Sequence, residues 1–167
     1  MLKVFLINYY LWIIKKMLFN HKCSSTDCYC STKKISSYQE NKKKFEIKNF
    51  SALNICQYKI DGCVITSSSQ IKCDCAFTVS KDSSINKIIF VELKGSDICH
   101  AAEQIISTYN IFKNDIKKIT PPPEIEAFII HSKSPSATQS DYLKFKKILK
   151  KENISLHQVR LLHSYQL

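Results

Sequence analysis

Glu92 and Lys94 are the residues whose types and spacing most suggest chemistry. They lie two positions apart at the end of a mainly apolar run, residues 88–94, which is followed by Gly95. In a β-strand, residues two positions apart project from the same face, so the carboxylate and the ammonium would lie side by side. Placing two ionisable groups on a buried strand is costly unless a partner, a metal ion or a solvated cleft compensates them. The pair is therefore a candidate functional centre.

Asp74 is the acidic residue best placed to join this pair. Residues 71–79 alternate apolar and polar side chains, which predicts a strand with Asp74 on its polar face. A polar connection, residues 80–86, leads to the Glu92 strand, so the two strands are expected to be antiparallel neighbours. Such a pairing can bring Asp74 alongside Glu92. The simpler alternatives are a solvent-facing Asp74 and an edge pair of Glu92 and Lys94 facing water.

A helix is predicted to follow that strand, with Ser96 or Asp97 as its N-cap. Apolar residues recur at steps of three and four over residues 98–112, which is typical of an amphipathic helix with one buried stripe. Gln104 lies beside that stripe and can face the strand ends, although an exposed helix position is the ordinary interpretation. Residues 125–130 then predict another buried strand, joined by a crossover that makes the sheet partly parallel.

A second, lysine-rich helix is predicted to begin at a capping box, residues 136–139. Four of its lysines are interpreted first as a solvated face and second as contacts to a nucleic-acid backbone: Lys144, Lys147, Lys150 and Lys151. A last strand is expected over residues 154–162, and two short strands over residues 45–65, with Gly62 at a bend. Together these elements predict an α/β fold with a mixed central sheet flanked by helices.

The order of these elements resembles that of the PD-(D/E)XK nuclease superfamily, which has the restriction-endonuclease-like fold. The likeness rests on Asp74 and on Glu92-x-Lys94 followed by glycine and a helix. The run VELKGSDICHAAEQIIST at residues 91–108 is similar to the form seen in small bacterial members of uncharacterised role. The resemblance spans roughly residues 58–130 of the chain.

The chain also departs from the family pattern. Cys73 stands where the family carries the proline of its name, and Gln104 is followed four residues later by Thr108, where one branch carries tyrosine. That branch also uses an acidic residue from an upstream helix. Glu40 and Glu46 are the only upstream glutamates, and neither can be assigned that role from the sequence.

The resemblance implies a Mg²⁺-dependent nuclease that hydrolyses phosphodiester bonds, above all in DNA, with Mn²⁺ as a substitute metal. Asp74 and Glu92 would supply the metal's oxygen ligands, together with the backbone carbonyl of Leu93. Lys94 would orient or deprotonate the nucleophile and stabilise developing negative charge. Gln104 would hold Lys94 or the water in position. The implied catalytic set is therefore Asp74, Glu92, Lys94 and Gln104.

The net charge of +11 favours an acidic partner such as nucleic acid. Nearly all of the excess is lysine, with Arg160 as the only arginine, so an AT-rich coding sequence could produce much of the same bias. Lysine makes point-charge contacts to phosphate and lacks the planar fork that recognises guanine, so the charge predicts sequence-independent binding at most. A homodimer is also compatible with the sequence.

The eight cysteines include no C-x-x-C pair. Free thiols in a reducing cytoplasm are therefore the expectation. A structural zinc site of His21, Cys23, Cys28 and Cys30 is the less favoured alternative because the usual ligand spacing is absent.

The chain divides by composition into an apolar segment at residues 1–18, a polar linker or loosely held segment at residues 19–44, and the nuclease-like domain at residues 45–167. The apolar segment is shorter than the roughly 20 residues of a membrane span and lacks a small-residue cleavage site. It is interpreted as a helix packed on the domain or on a second subunit, or as an extension upstream of a natural start at Met17, in preference to a membrane contact. Two competing functions follow: a catalytically inactive nucleic-acid-binding module of the same fold, and a membrane-surface or protein-interaction component acting through this segment.

Overall fold

Nine strands and two helices are formed by residues 27–82, 84–94, 96–132 and 139–167, which are the residues described by the computed structural model. The strands are β1 (Cys28–Ser31), β2 (Ile35–Glu40), β3 (Lys43–Lys48), β4 (Asn54–Lys59), β5 (Cys75–Lys81), β6 (Ser84–Lys94), β7 (Glu124–His131), β8 (Ile154–Arg160) and β9 (Leu162–Gln166). The helices are α1 (Ile98–Ile116) and α2 (Gln139–Lys151). The apolar segment predicted at residues 1–18, Gly95 and most of the predicted capping box lie outside the described residues.

A six-stranded mixed sheet, in the order β1-β4-β5-β6-β7-β8, forms the centre of the fold. The strands from β1 through β4 and β5 to β6 pair in antiparallel fashion, whereas β7 and β8 run parallel to β6. Each parallel step is a crossover that contains one helix, α1 between β6 and β7 and α2 between β7 and β8. The predicted α/β architecture with a mixed sheet is confirmed.

Strand β6 is buried on both faces over residues 88–93, as the apolar run predicts. Ile88 and Phe90 pack in the core on the helix side of the sheet, together with Ile105 of α1. Ile89 and Val91 point to the other side of the sheet. Because alternate residues of a strand share a face, Glu92 and Lys94 lie on the same helix-side face as Ile88 and Phe90, beyond the apolar core.

Helix α1 follows the predicted pattern closely. The Asp97 side chain accepts a 2.9 Å hydrogen bond from the backbone N–H of His100 and so caps the first turn. The predicted apolar stripe is buried, and it comprises Ile98, Ala101, Ala102, Ile105, Tyr109 and Phe112.

Among the described residues, no helix combines the length and apolar character that crossing a bilayer requires.

A second sheet of three strands, in the order β2-β3-β9, covers the face of the large sheet opposite the helices. Phe45 and Ile47 of β3 are completely buried against that face. Within the described part of the chain, both helices therefore lie on one side of the large sheet, and the small sheet covers the other side. The predicted final strand is in fact two, because Leu161 adopts a positive φ of 59° and the chain leaves β8 to join the second sheet as β9.

The polar composition predicts a linker over residues 19–44, whereas β1 and β2 form within that range. The hairpin between β2 and β3 has a two-residue loop, Asn41-Lys42, in which both residues have positive φ values of 47° and 65°. Two positive φ values are the geometry of a type I′ hairpin turn, which accommodates asparagine well. Backbone pairing and turn geometry thus order a segment whose side chains are too polar to predict a strand.

Among the described cysteines, three differ from the expectation of free thiols. The pairing of β1 with β4 places Cys30 directly opposite Cys56, and the two form a disulfide. Cys63 is also disulfide-bonded. The expectation is therefore wrong for these residues, and Cys30 is no longer available to the zinc set considered from the sequence. Cys28, Cys73, Cys75 and Cys99 are free thiols.

Candidate functional site

Asp74 and Glu92 lie side by side where the central strand β5 begins and its neighbour β6 ends. Strand β5 begins one residue after Asp74, and its first residue, Cys75, pairs with Val91. The backbone N–H of Asp74 donates to Glu92 Oε2 over 3.0 Å, and the backbone N–H of Leu93 donates to Asp74 Oδ2 over 2.6 Å. Each carboxylate is thus fixed by the other strand's backbone, and each keeps a second oxygen that can bind a ligand.

The segment that carries Asp74 is held from both sides. The Asp74 carbonyl accepts hydrogen bonds from Ile60 N–H at 2.9 Å and from Asp61 N–H at 3.4 Å. On the other side, Cys73 N–H donates to Thr108 Oγ1 over 2.8 Å, and that hydroxyl donates to a backbone carbonyl of α1. Because Asp74 precedes the strand, Cys73 packs on the helix side and Cys75 on the opposite side. The alternation predicted over residues 71–79 would place both cysteines on the face opposite Asp74, and the structure shows that this is wrong for Cys73 and Cys75 together.

Thr108→Val is expected to destabilise the fold by about 1–3 kcal/mol, because it leaves the buried Cys73 N–H without its acceptor. Thr108 is completely buried, so water cannot replace the lost hydrogen bond. Urea unfolding monitored by circular dichroism measures the change. Ser107→Ala is the matched control, since Ser107 is a half-buried residue of the same helix whose hydrogen bond to Ile71 O is open to solvent, and a loss below about 0.5 kcal/mol is expected there. Equal losses in the two variants would contradict the role given to Thr108.

Lys94 is positioned by Gln104. Its Nζ donates to Gln104 Oε1 over 2.8 Å and lies 3.9 Å from Glu92 Oε1. The Gln104 amide in turn donates to the backbone carbonyl of Lys72 over 2.8 Å. Gln104 therefore faces the strand ends, and both ends of its amide group are used. The structure brings together all four residues that the sequence singled out for catalysis, with the ammonium beside the carboxylate pair.

The electrostatic environment disfavours negative charge on both carboxylates. Burial raises the pKa of Asp74 to about 6, against the opposing effects of the Leu93 N–H and of Lys94. Burial also raises the pKa of Glu92 well above its usual range, and the neighbouring charge of Asp74 adds to this rise. One lysine does not compensate two carboxylates in so little solvent, since Glu92 is only 2% exposed. A bound cation would supply the missing positive charge.

Strand β2 contributes residues that the sequence did not assign to the site. The charge of Glu40, at the end of β2, raises the pKa of both Asp74 and Glu92. Burial raises the pKa of Tyr38, and the charges of Asp74 and Glu92 act in the same direction. Glu40 is thus a third carboxylate within electrostatic range of the pair. No local sequence signal could have placed it there, because its position depends on how the second sheet packs.

Four of the five lysines of α2 were predicted to form a basic face, and all four lie on the surface. Lys144, Lys147, Lys150 and Lys151 are all exposed. Helix α2 packs on α1 and β8 through its other face, where Leu149 is buried. These lysines lie outside the hydrogen-bonded cluster of Asp74, Glu92, Lys94 and Gln104, and they are accessible to an acidic partner.

The oxygen atoms of the pair fit a hard divalent cation. Among the residues that the structure describes, no group of three or more His, Cys, Asp or Glu side chains is arranged as a metal site. Mg²⁺ does not need such a group, since it usually binds through one or two carboxylates and fills its remaining positions with water and substrate phosphates. Asp74, Glu92 and the Leu93 carbonyl would suffice for that mode of binding.

No protein-family model, curated protein or solved structure matches this chain.

Proposed function

We propose that this chain is a Mg²⁺-dependent nuclease of the PD-(D/E)XK type, with a restriction-endonuclease-like core, that hydrolyses phosphodiester bonds in DNA. The observation that carries the proposal is the cluster of Asp74, Glu92 and Lys94, in which Gln104 fixes the lysine 3.9 Å from the Glu92 carboxylate. The element order supports it, because an antiparallel β4-β5-β6 unit is followed by a helical crossover to parallel β7.

The residues of the cluster divide the work in this proposal. A divalent cation held by Asp74 and Glu92 would neutralise charge on the phosphoryl oxygens and acidify a water. The Lys94 ammonium has three N–H donors, one of which binds Gln104. The other two can donate to a phosphate oxygen or to the attacking water, where they would stabilise negative charge as it develops. Gln104 prevents the long lysine side chain from turning into solvent.

The proposal is tested by incubating the purified protein with duplex, single-stranded and branched DNA and with RNA, in Mg²⁺ or Mn²⁺. We expect cleavage of at least one DNA substrate that stops when EDTA removes the metal. If every substrate stays intact in both metals, the proposal is wrong. Salt-sensitive binding of DNA without metal-dependent cleavage would instead support the catalytically inactive module with the same fold.

A third function, as a membrane-surface or protein-interaction component, rests on the apolar segment at residues 1–18. Deleting residues 1–16 without any change in cellular location or oligomeric state would exclude it. The cytoplasmic location also stays a prediction, and the disulfide between Cys30 and Cys56 is instead a feature of oxidising compartments.

A further inference from the structure

Three neighbouring parallel strands, β6, β7 and β8, each end in a basic or imidazole side chain, and the three ends lie side by side. Lys94 of β6 is the register partner of His131 in β7, and His131 is the register partner of Arg160 in β8. Adjacent strands lie about 4.8 Å apart, so the backbones at Lys94 and Arg160 are separated by about 10 Å. These three residues form a row across the carboxyl ends of the parallel strands.

The row lies on the same face of the sheet as the carboxylate pair. Alternate residues of each strand belong to the helix-side core: Ile88 and Phe90 in β6, Ala127 and Ile129 in β7, and Ile154 and Leu156 in β8. Continuing that alternation places Lys94, His131 and Arg160 on the helix side. Glu92 lies on this side as well, two residues before Lys94. The row therefore begins at the candidate site and extends away from it toward the edge strand β8.

The far end of the row is fixed to β7 by backbone and side-chain contacts. The backbone N–H of Leu161 donates to the His131 carbonyl over 2.8 Å, which holds the end of β8 beside the end of β7. The Nε2 atoms of His131 and Gln158 are 3.3 Å apart, and His131 is only 8% exposed. Arg160, by contrast, is exposed to solvent, so its side chain extends from a well-anchored backbone.

We propose that this row is a track for one strand of a nucleic-acid backbone, along which Arg160 binds a phosphate next to the one held at Lys94. The proposal rests on the proposed function, which places the scissile phosphate at Lys94. Ligands of open α/β sheets bind at the carboxyl ends of the parallel strands, which is where the row lies. A guanidinium binds phosphate through two parallel hydrogen bonds, and Arg160 is the only arginine in the chain. In this row the single arginine can bind a phosphate through two hydrogen bonds beside the candidate site, which the surface lysines cannot do.

The test measures how salt weakens binding of single-stranded and duplex DNA probes in EDTA, by fluorescence anisotropy. For Arg160→Ala, the slope of log K against log salt concentration is expected to become shallower by about 0.7 with the single strand and about 0.9 with the duplex, the values for one lost phosphate contact. Arg160→Lys is expected to keep the wild-type slope with weaker affinity, because it keeps the charge and loses the bidentate geometry. A slope change with only one probe would identify the kind of strand that the track binds.

Lys118→Ala is the matched control, since it removes one positive charge from an exposed lysine that is paired with Asp115 beyond the other end of α1. Its slope is expected to equal that of the wild type. The track is overturned if Arg160→Ala also keeps the wild-type slope, if Lys118→Ala shows the same decrease, or if the wild-type protein binds neither probe. Because EDTA prevents metal-dependent cleavage, the outcome is independent of the nuclease proposal. A cleaving enzyme with an unchanged Arg160→Ala slope would lose only the track.

Discussion

Glu92→Gln is expected to lower metal-dependent cleavage by on the order of 10²-fold or more and, without metal, to make the folded protein more stable at pH 8. Glutamine keeps the shape of the side chain and can still accept the Asp74 N–H hydrogen bond. It lacks the charge that a divalent cation needs. A residue whose replacement both inactivates the enzyme and stabilises the fold contributes to activity and lowers the stability of the folded protein.

The stabilisation should depend on pH in a defined direction. Burial and the charge of Asp74 raise the pKa of Glu92 in the folded state above the 4.5 of an ordinary glutamate. The unfolded chain therefore releases its proton at lower pH than the folded chain does, and wild-type stability falls as pH rises above that value. Asp74 adds to the fall up to its folded-state pKa of about 6. Urea unfolding should give equal stabilities for the two proteins at pH 4 and an advantage of at least about 1.4 kcal/mol, one pKa unit, for Glu92→Gln at pH 8.

Glu126→Gln is the matched control, because Glu126 is another glutamate on a central strand and is 6% exposed. Burial raises its pKa, but hydrogen bonds from Lys87 and Tyr165 outweigh that effect and lower it overall. A lowered folded-state pKa stabilises the protein above the ordinary pKa of glutamate, and the stabilisation is lost as pH falls. Glu126→Gln should therefore destabilise the protein at pH 8. If Glu92→Gln also lost stability at pH 8, Glu92 would be a structural partner of Lys94 and the electrostatic argument for a cation would fail.

Lys94→Met is expected to lower cleavage by about 10²–10³-fold while leaving metal binding intact. The methionine keeps most of the apolar stem and removes the ammonium that Gln104 holds beside Glu92. A thermal-shift titration with Mn²⁺ separates the two effects, because a metal that binds the folded state raises the melting temperature. The shift should persist in Lys94→Met and vanish in Glu92→Gln.

Lys44→Met is the control for the loss of a lysine from a strand. Lys44 is 34% exposed and Lys94 27%, and Lys44 pairs with Glu46 in the second sheet. It should cleave at the wild-type rate. Lys94→Arg adds a further distinction: it should restore activity if the charge alone matters and fail if Lys94 must take a proton, since a guanidinium stays protonated. Cleavage by Lys94→Met within about twofold of the wild type would remove Lys94 from the catalytic set.

The sequence predicts those parts of the fold whose signal is local. The apolar run of β6 and the periodicity of α1 specify their own burial, and both elements form where expected. The contact of Asp74 with Glu92 follows from one hairpin, and the contact of Lys94 with Gln104 from one strand-helix step. Residues linked by so short a stretch of chain have few alternative arrangements.

The parts that could not be predicted depend on distant pairing. Strand β3 pairs in parallel with β9, although more than a hundred residues of sequence separate the two strands. No local pattern in the sequence therefore indicates this pairing in the second sheet. Glu40 comes near the carboxylate pair only because that sheet packs on the large one. His131 and Arg160 lie beside Lys94 because of the register between three parallel strands. No single strand's own sequence determines that register.

A crystal grown with Mn²⁺ tests most directly whether Asp74 and Glu92 share a divalent cation. Anomalous difference density should show a single strong peak between the two carboxylates, with oxygen ligands from both at about 2.1 Å. The same peak should be absent from crystals of Glu92→Gln. Wild-type crystals in Mn²⁺ with no peak between Asp74 and Glu92, while their backbone hydrogen bonds remain as described, would contradict the claim.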